Sequence, residues 1–83
     1  MDYLPGDTIE YETESGEVRV LKVISRMDIT LRDDRGRAEY LPGFSGEREE
    51  EKGYIDSYGA STHMVEYWGL DSQITNVIPQ KIS

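Results

Sequence analysis

Apolar side chains in this chain recur with a period of two and nowhere with a period of 3.6, which restricts it to sheet. Thr8-Ile9-Glu10-Tyr11-Glu12-Thr13 puts Ile9, Tyr11 and Thr13 on one face and acids on the other, the mark of a half-buried strand. Glu14-Ser15-Gly16-Glu17 follows, and Gly16 suits the positive φ of a tight hairpin turn. Glu17 to Arg26 reads as a longer second strand built on Val18, Val20, Val23 and Ile24. Its apolar register slips at Val20-Leu21, which predicts a bulge or a bend at a barrel corner. Ile29-Thr30-Leu31 starts a third strand, and Asp33-Asp34-Arg35-Gly36 is a turn. Arg37 to Leu41 returns as a fourth, with Ala38 and Tyr40 on one side. Helix is limited to a single turn.

Pro42-Gly43-Phe44-Ser45-Gly46 breaks the pattern, and Glu47-Arg48-Glu49-Glu50-Glu51-Lys52-Gly53 is a charge run without an apolar anchor. Residues 42–61 are therefore expected as one loop of roughly 20 residues, long enough to carry function. It would dock one or two of the aromatics around Tyr54, Ile55 and Tyr58. His63-Met64-Val65-Glu66-Tyr67-Trp68 restores a strand, and Gly69 to Gln73 suits one 3₁₀ turn. Ile74 to Ile78 forms the last strand, stopped by Pro79.

This element order resembles the SH3-like small barrels, including Tudor-type modules. The expected fold is one all-β domain over 1–83: a five-stranded barrel with a long 42–61 loop and one 3₁₀ turn before the last strand. The resemblance implies that the large aromatics beside that turn close the open end of the barrel. A meandering, unclosed sheet is the alternative. Six Tyr, one Trp and one Phe supply enough area for a small core.

A second resemblance rests on Pro42-Gly43-Phe44-Ser45-Gly46 and on Trp68-Gly69-Leu70-Asp71-Ser72-Gln73-Ile74, ending in Val77-Ile78. These pieces look like a group of small acidic proteins of actinobacteria and their phages. In that group Gly-Arg-Pro-Gly-Phe-Asp-Gly precedes Trp-Gly-Tyr-Asp-x-Gln-Ile. Here Tyr40-Leu41 stands in place of Gly-Arg, Ser45 in place of Asp, and Leu70 in place of Tyr. The resemblance implies a phage or prophage setting and no activity.

Formal charge is −8, unevenly spread. Residues 1–18 carry −6, residues 19–37 carry +3, and residues 38–83 carry −5. The simplest expectation pairs the acidic first strand with the basic second across a sheet face. There is no cysteine, so disulfides and thiolate metal sites are excluded. No leader-like or membrane-spanning apolar run is present, which reads as a soluble cytoplasmic chain.

Catalytic patterns are missing. His63 is the single histidine, and Gly43-Phe44-Ser45-Gly46 lacks the spacing of a nucleophile elbow. The 47–51 acids lack the alternating oxygens and central glycine of a calcium loop. No phosphate loop occurs, so neither metal nor cofactor is expected. A binding module is left. Its main form docks on a basic protein through Glu47, Glu49, Glu50 and Glu51 beside Tyr54 and Tyr58, with nucleic-acid mimicry as the extreme version. The alternative uses Arg19, Lys22, Arg32, Arg35 and Arg37 on nucleic acid, with Tyr40 or Phe44 stacking on bases. The net charge opposes it. An aromatic cage from Tyr11, Tyr40, Tyr67 and Trp68 competes with core packing of the same residues.

Overall fold

The computed structural model describes residues 2–80. Five antiparallel strands, β1 (Thr8–Glu12), β2 (Val18–Arg32), β3 (Ala38–Glu51), β4 (Thr62–Leu70) and β5 (Ile74–Ile78), form one sheet ordered β4-β3-β2-β1-β5. A 3₁₀ turn, Asp71–Gln73, joins β4 to β5. The fold is all-β. β4 and β5 lie at opposite edges, so the sheet is open, and it is compatible with an SH3-like barrel. No described helix is long and apolar enough to cross a membrane.

Three hairpins share one turn chemistry. Thr13 N donates to Glu17 O while Gly16 N donates to Thr13 O, and Gly16 takes φ 86°. Asp33 with Arg37, and Asp56 with Ala60, repeat both bonds, with Gly36 and Gly59 at positive φ. This is a three-residue loop closed by a left-handed glycine. The first two were read from sequence; the third, Asp56-Ser57-Tyr58-Gly59-Ala60, was not.

The strands are longer than expected. The two strands predicted at 17–26 and 29–31 are one, β2: Met27 and Asp28 pair in register with Gly43 and Pro42, and the strand's register shift lies earlier, between Val23 and Ser25. The apparent slip at Val20-Leu21 arises because both faces of β2 are apolar there. Leu21 and Val23 are buried, while Val18 and Val20 are exposed. The predicted 42–61 loop is also corrected. β3 continues through Pro42 to Glu51, and the connection is only 52–61.

Pro42 is tolerated for a local reason. Asp33 N donates to Arg37 O, so the hydrogen-bonded pairs of β2 and β3 run through odd numbers, and Pro42, opposite Asp28, turns its nitrogen away from β2. β4 ends at Leu70 opposite Gly43, so no ladder bond is lost there.

The core is Tyr3, Ile9, Tyr11, Leu21, Val23 and Phe44, with Tyr67, Ile74 and Val77 packed against it. Phe44 is fully buried and meets Tyr11 and Tyr3 edge-on, at 5.1 and 6.3 Å between ring centroids. The expected closure by the aromatics beside the 3₁₀ turn is half right. Tyr67 packs on the core, but Trp68 is 63% exposed.

Tyr3 is held by a small polar cluster. Its hydroxyl is placed to donate to Gly43 O and to Asp71, while Arg26 lies 4.8 Å above its ring and pairs with Asp71. Burial, then the Asp71 carboxylate, push the phenol well above the ordinary tyrosine value of 10. A raised folded-state pKa gives stability that is full below the unfolded value and is lost as pH rises through the folded one. Urea midpoints are therefore expected to fall above about pH 10, and less steeply in Tyr3→Phe. Parallel curves for the two proteins would remove Tyr3 as the cause.

Two long hairpins project from this core, and the molecule measures 49 × 36 × 21 Å. Its radius of gyration, 15.3 Å, exceeds the roughly 12 Å of a compact chain this long. One arm is the β2–β3 end around Asp33–Gly36; the other is the β3–β4 end around residues 52–61.

Candidate functional site

Strand parity sorts the acidic run onto two faces. Phe44, Gly46, Arg48 and Glu50 share the core side of β3, opposite Gly69, Tyr67, Val65 and His63 of β4. Ser45, Glu47, Glu49 and Glu51 share the other side, opposite Trp68, Glu66, Met64 and Thr62. The four predicted contact acids therefore do not share one face.

Glu50 is engaged internally. It accepts from Arg48 Nε at 2.9 Å and from the Tyr67 hydroxyl, and the Tyr67 ring has Arg19 at 4.4 Å and Arg48 at 5.3 Å. The Tyr67 bond, then Arg48, hold the Glu50 carboxyl below its usual value, and the same bond raises the Tyr67 phenol.

Glu47, Glu49 and Glu51 stand about 7 Å apart along one face. Glu66 lies directly opposite Glu47, and like charges face each other there. Lys22 is opposite Glu47 on the β2 side, yet no ion pair forms between them among the described residues. Glu47 is half-buried, whereas Glu49, Glu51 and Glu66 are exposed; Glu49 accepts from Thr62 at 2.6 Å.

At the end of this arm Tyr54, Ile55 and Tyr58 are exposed, Tyr58 at 95%. The expectation that the connection docks its aromatics is corrected. The cause is the tight Asp56–Ala60 turn, in which Asp56 accepts from the Tyr58 and Ala60 amides and pairs with Lys52. Tyr58 sits at its tip and reaches no core. Met64 (55% exposed) and Trp68 extend the apolar surface along β4. Trp68 also lines a cleft of about 280 Å³ with Tyr11, Thr13, Glu14 and Gln73. Sequence reasoning missed Met64 and Glu66 as site residues and placed Trp68 only in an aromatic cage, because the face they share with Glu47, Glu49 and Glu51 appears only once β3 is seen as one strand.

The basic segment is dispersed. Arg19 folds over Tyr67 and pairs with Glu17, at one end of β2 near Lys22. Arg32, Arg35 and Arg37 lie at the far hairpin, where Arg37 pairs with Asp33 and Arg32 donates to Gly36 O. Phe44 is buried and offers no stacking surface, while Tyr40 is exposed on that arm. Of the cage residues only Tyr40 stands apart, opposite Thr30; Tyr11 is core, Tyr67 packs against that core, and Trp68 shares a cleft with Tyr11. The expected acid–base pairing of β1 with β2 does not occur. Register sets Glu10 opposite Val20 and Glu12 opposite Val18, while Arg19 meets Tyr11. Among the described residues no group of three or more His, Cys, Asp or Glu could hold a metal.

No protein-family model, curated protein or solved structure matches this chain.

Proposed function

We propose that this chain is a non-catalytic binding module that docks on a basic protein through its β3–β4 arm. The observation that carries the reading is the shared face of Glu47, Glu49, Glu51 and Glu66, beside exposed Met64 and Trp68 and beneath exposed Tyr54 and Tyr58. Carboxylates in a row steer a cationic partner, and apolar anchors supply short-range energy. The same row lets the module compete with nucleic acid for a basic protein. The likeness of its motifs to small acidic phage proteins suggests a host protein in the cytoplasm as the target.

The test uses polylysine as a basic probe and duplex DNA as the opposite one. Glu47→Gln/Glu49→Gln/Glu51→Gln is expected to weaken polylysine binding by roughly tenfold and to flatten its salt dependence. Glu10→Gln/Glu12→Gln/Glu39→Gln removes the same charge elsewhere and is expected to do much less. Equal effects would mean that total charge, not this face, drives binding. Retention of the wild-type chain on DNA at low salt would favour the Arg32, Arg35 and Arg37 hairpin instead.

A further inference from the structure

The two edges of the sheet are built differently. β5 has five residues, its pairing with β1 is broken between Glu10 and Tyr11, and Pro79 follows it at once. Short length, irregular register and proline are the means by which sheets blunt an edge against further pairing. β4 has none of them. Its nine residues contain no proline or lysine, and they pair with β3 without interruption from Gly43–Leu70 to Glu51–Thr62.

The direction of its free groups follows from two hydrogen bonds. Lys52 N donates to Ser61 O, and Leu70 N donates to Gln73 Oε1 rather than to β3. In an antiparallel ladder alternate residues exchange both bonds with the neighbour. The odd-numbered residues of β4 therefore face β3, and Met64, Glu66 and Trp68 turn their N–H and C=O groups outward. These same residues carry the exposed apolar and acidic side chains of the candidate site.

We propose that β4 accepts an added strand: an extended segment of a protein partner in which Lys or Arg alternates with apolar residues. This rests on the proposed docking of a basic protein and adds its mode. Main-chain pairing along Met64 to Trp68 would supply affinity, and side chains on the acidic face would supply specificity. A cation there meets Glu66, with Glu47 one strand further in. Trp68 offers a ring face for a second cation, and its cleft carries Glu14. A second copy of this chain fits poorly. It brings the same −8, and antiparallel pairing of two β4 strands centred on Glu66 would set those carboxylates against each other.

The probe is a short synthetic peptide alternating Arg with Val, compared with the same peptide N-methylated at every second amide. Glu66→Pro removes an outward N–H without touching the bonds to β3, and its effect is read relative to Glu66→Gln, which removes the carboxylate alone. The unmodified peptide is expected to bind and to slow amide exchange at Met64, Glu66 and Trp68. N-methylation and Glu66→Pro are each expected to weaken it at least roughly tenfold, as loss of one or two main-chain bonds predicts. The thermal midpoint of Glu66→Pro reports whether its sheet persists; if it unfolds, the N-methylated peptide decides alone. An N-methylated peptide that binds as tightly overturns strand addition and leaves acidic docking standing. Failure of every basic peptide to bind overturns both. Self-association of the free chain that Glu66→Pro abolishes would assign the edge to a second copy and overturn the proposal, as would DNA protecting the same amides.

Discussion

Phe44→Ala is expected to remove roughly a quarter or more of the domain's unfolding free energy. The Phe44 ring meets both buried tyrosines of the core, Tyr3 and Tyr11, and also covers Gly69 across the β3–β4 ladder. Truncating a fully buried Phe costs about 3–5 kcal/mol, because apolar transfer energy is lost and a cavity remains. A domain of this size has about 4–12 kcal/mol in total. Urea unfolding followed by tryptophan fluorescence checks the midpoint, with Phe44→Leu as a milder variant that keeps most of the volume. A midpoint unmoved by the alanine change would place the core elsewhere.

Gly43→Ala should come next in severity, although it adds only a methyl. A Cβ at this position would sit 2.4 Å from Ile29 Cδ1 and 2.5 Å from the carbonyl oxygen of Gly69. The isoleucine tip can rotate away, but the carbonyl moves only if β3 and β4 separate. The cost is therefore expected at or above the top of the roughly 1–3 kcal/mol range for overpacking. The double change Gly43→Ala/Ile29→Ala tells the two contacts apart. It should remain less stable than Ile29→Ala alone in urea unfolding; equal stability would show that the side chain was the only obstacle.

These two positions also show why part of the fold was legible in the sequence and part was not. β1, the first two hairpin turns, the 3₁₀ turn and β5 are written in local chemistry: alternation at Ile9 and Tyr11, left-handed glycines at 16 and 36, and Pro79 as a stop. β3 is not. Pro42, Gly43 and Gly46 look like breakers, and each is explained only by a neighbour distant in sequence. Pro42 lies just beyond the end of β4, Gly43 lies beneath Ile29 and Gly69, and Gly46 packs against Lys22 and Leu21. The charge run likewise hides its alternation, because Glu50 finds its partners in Arg48 and Tyr67 rather than in an apolar pocket. Once β3 is known to be continuous, parity divides Glu50 from Glu47, Glu49 and Glu51 without further information. Tyr58 could have been placed at a tip from sequence, since Asp56 to Ala60 repeats the pattern of Asp33 to Arg37.

The outward reach of the two long hairpins means that cohesion is unequal along β2 and β3. Their middle portions are clamped by Phe44 and Leu21, while their ends have only one neighbouring strand and little apolar cover. A bare two-stranded ribbon is marginal in water, so these ends open at far less cost than the centre. On the proposed docking, the arm with the acidic face is therefore one whose fluctuations a partner would have to quench as it engages. Part of the gross interaction energy goes into that ordering, which favours an association that is selective but readily reversed.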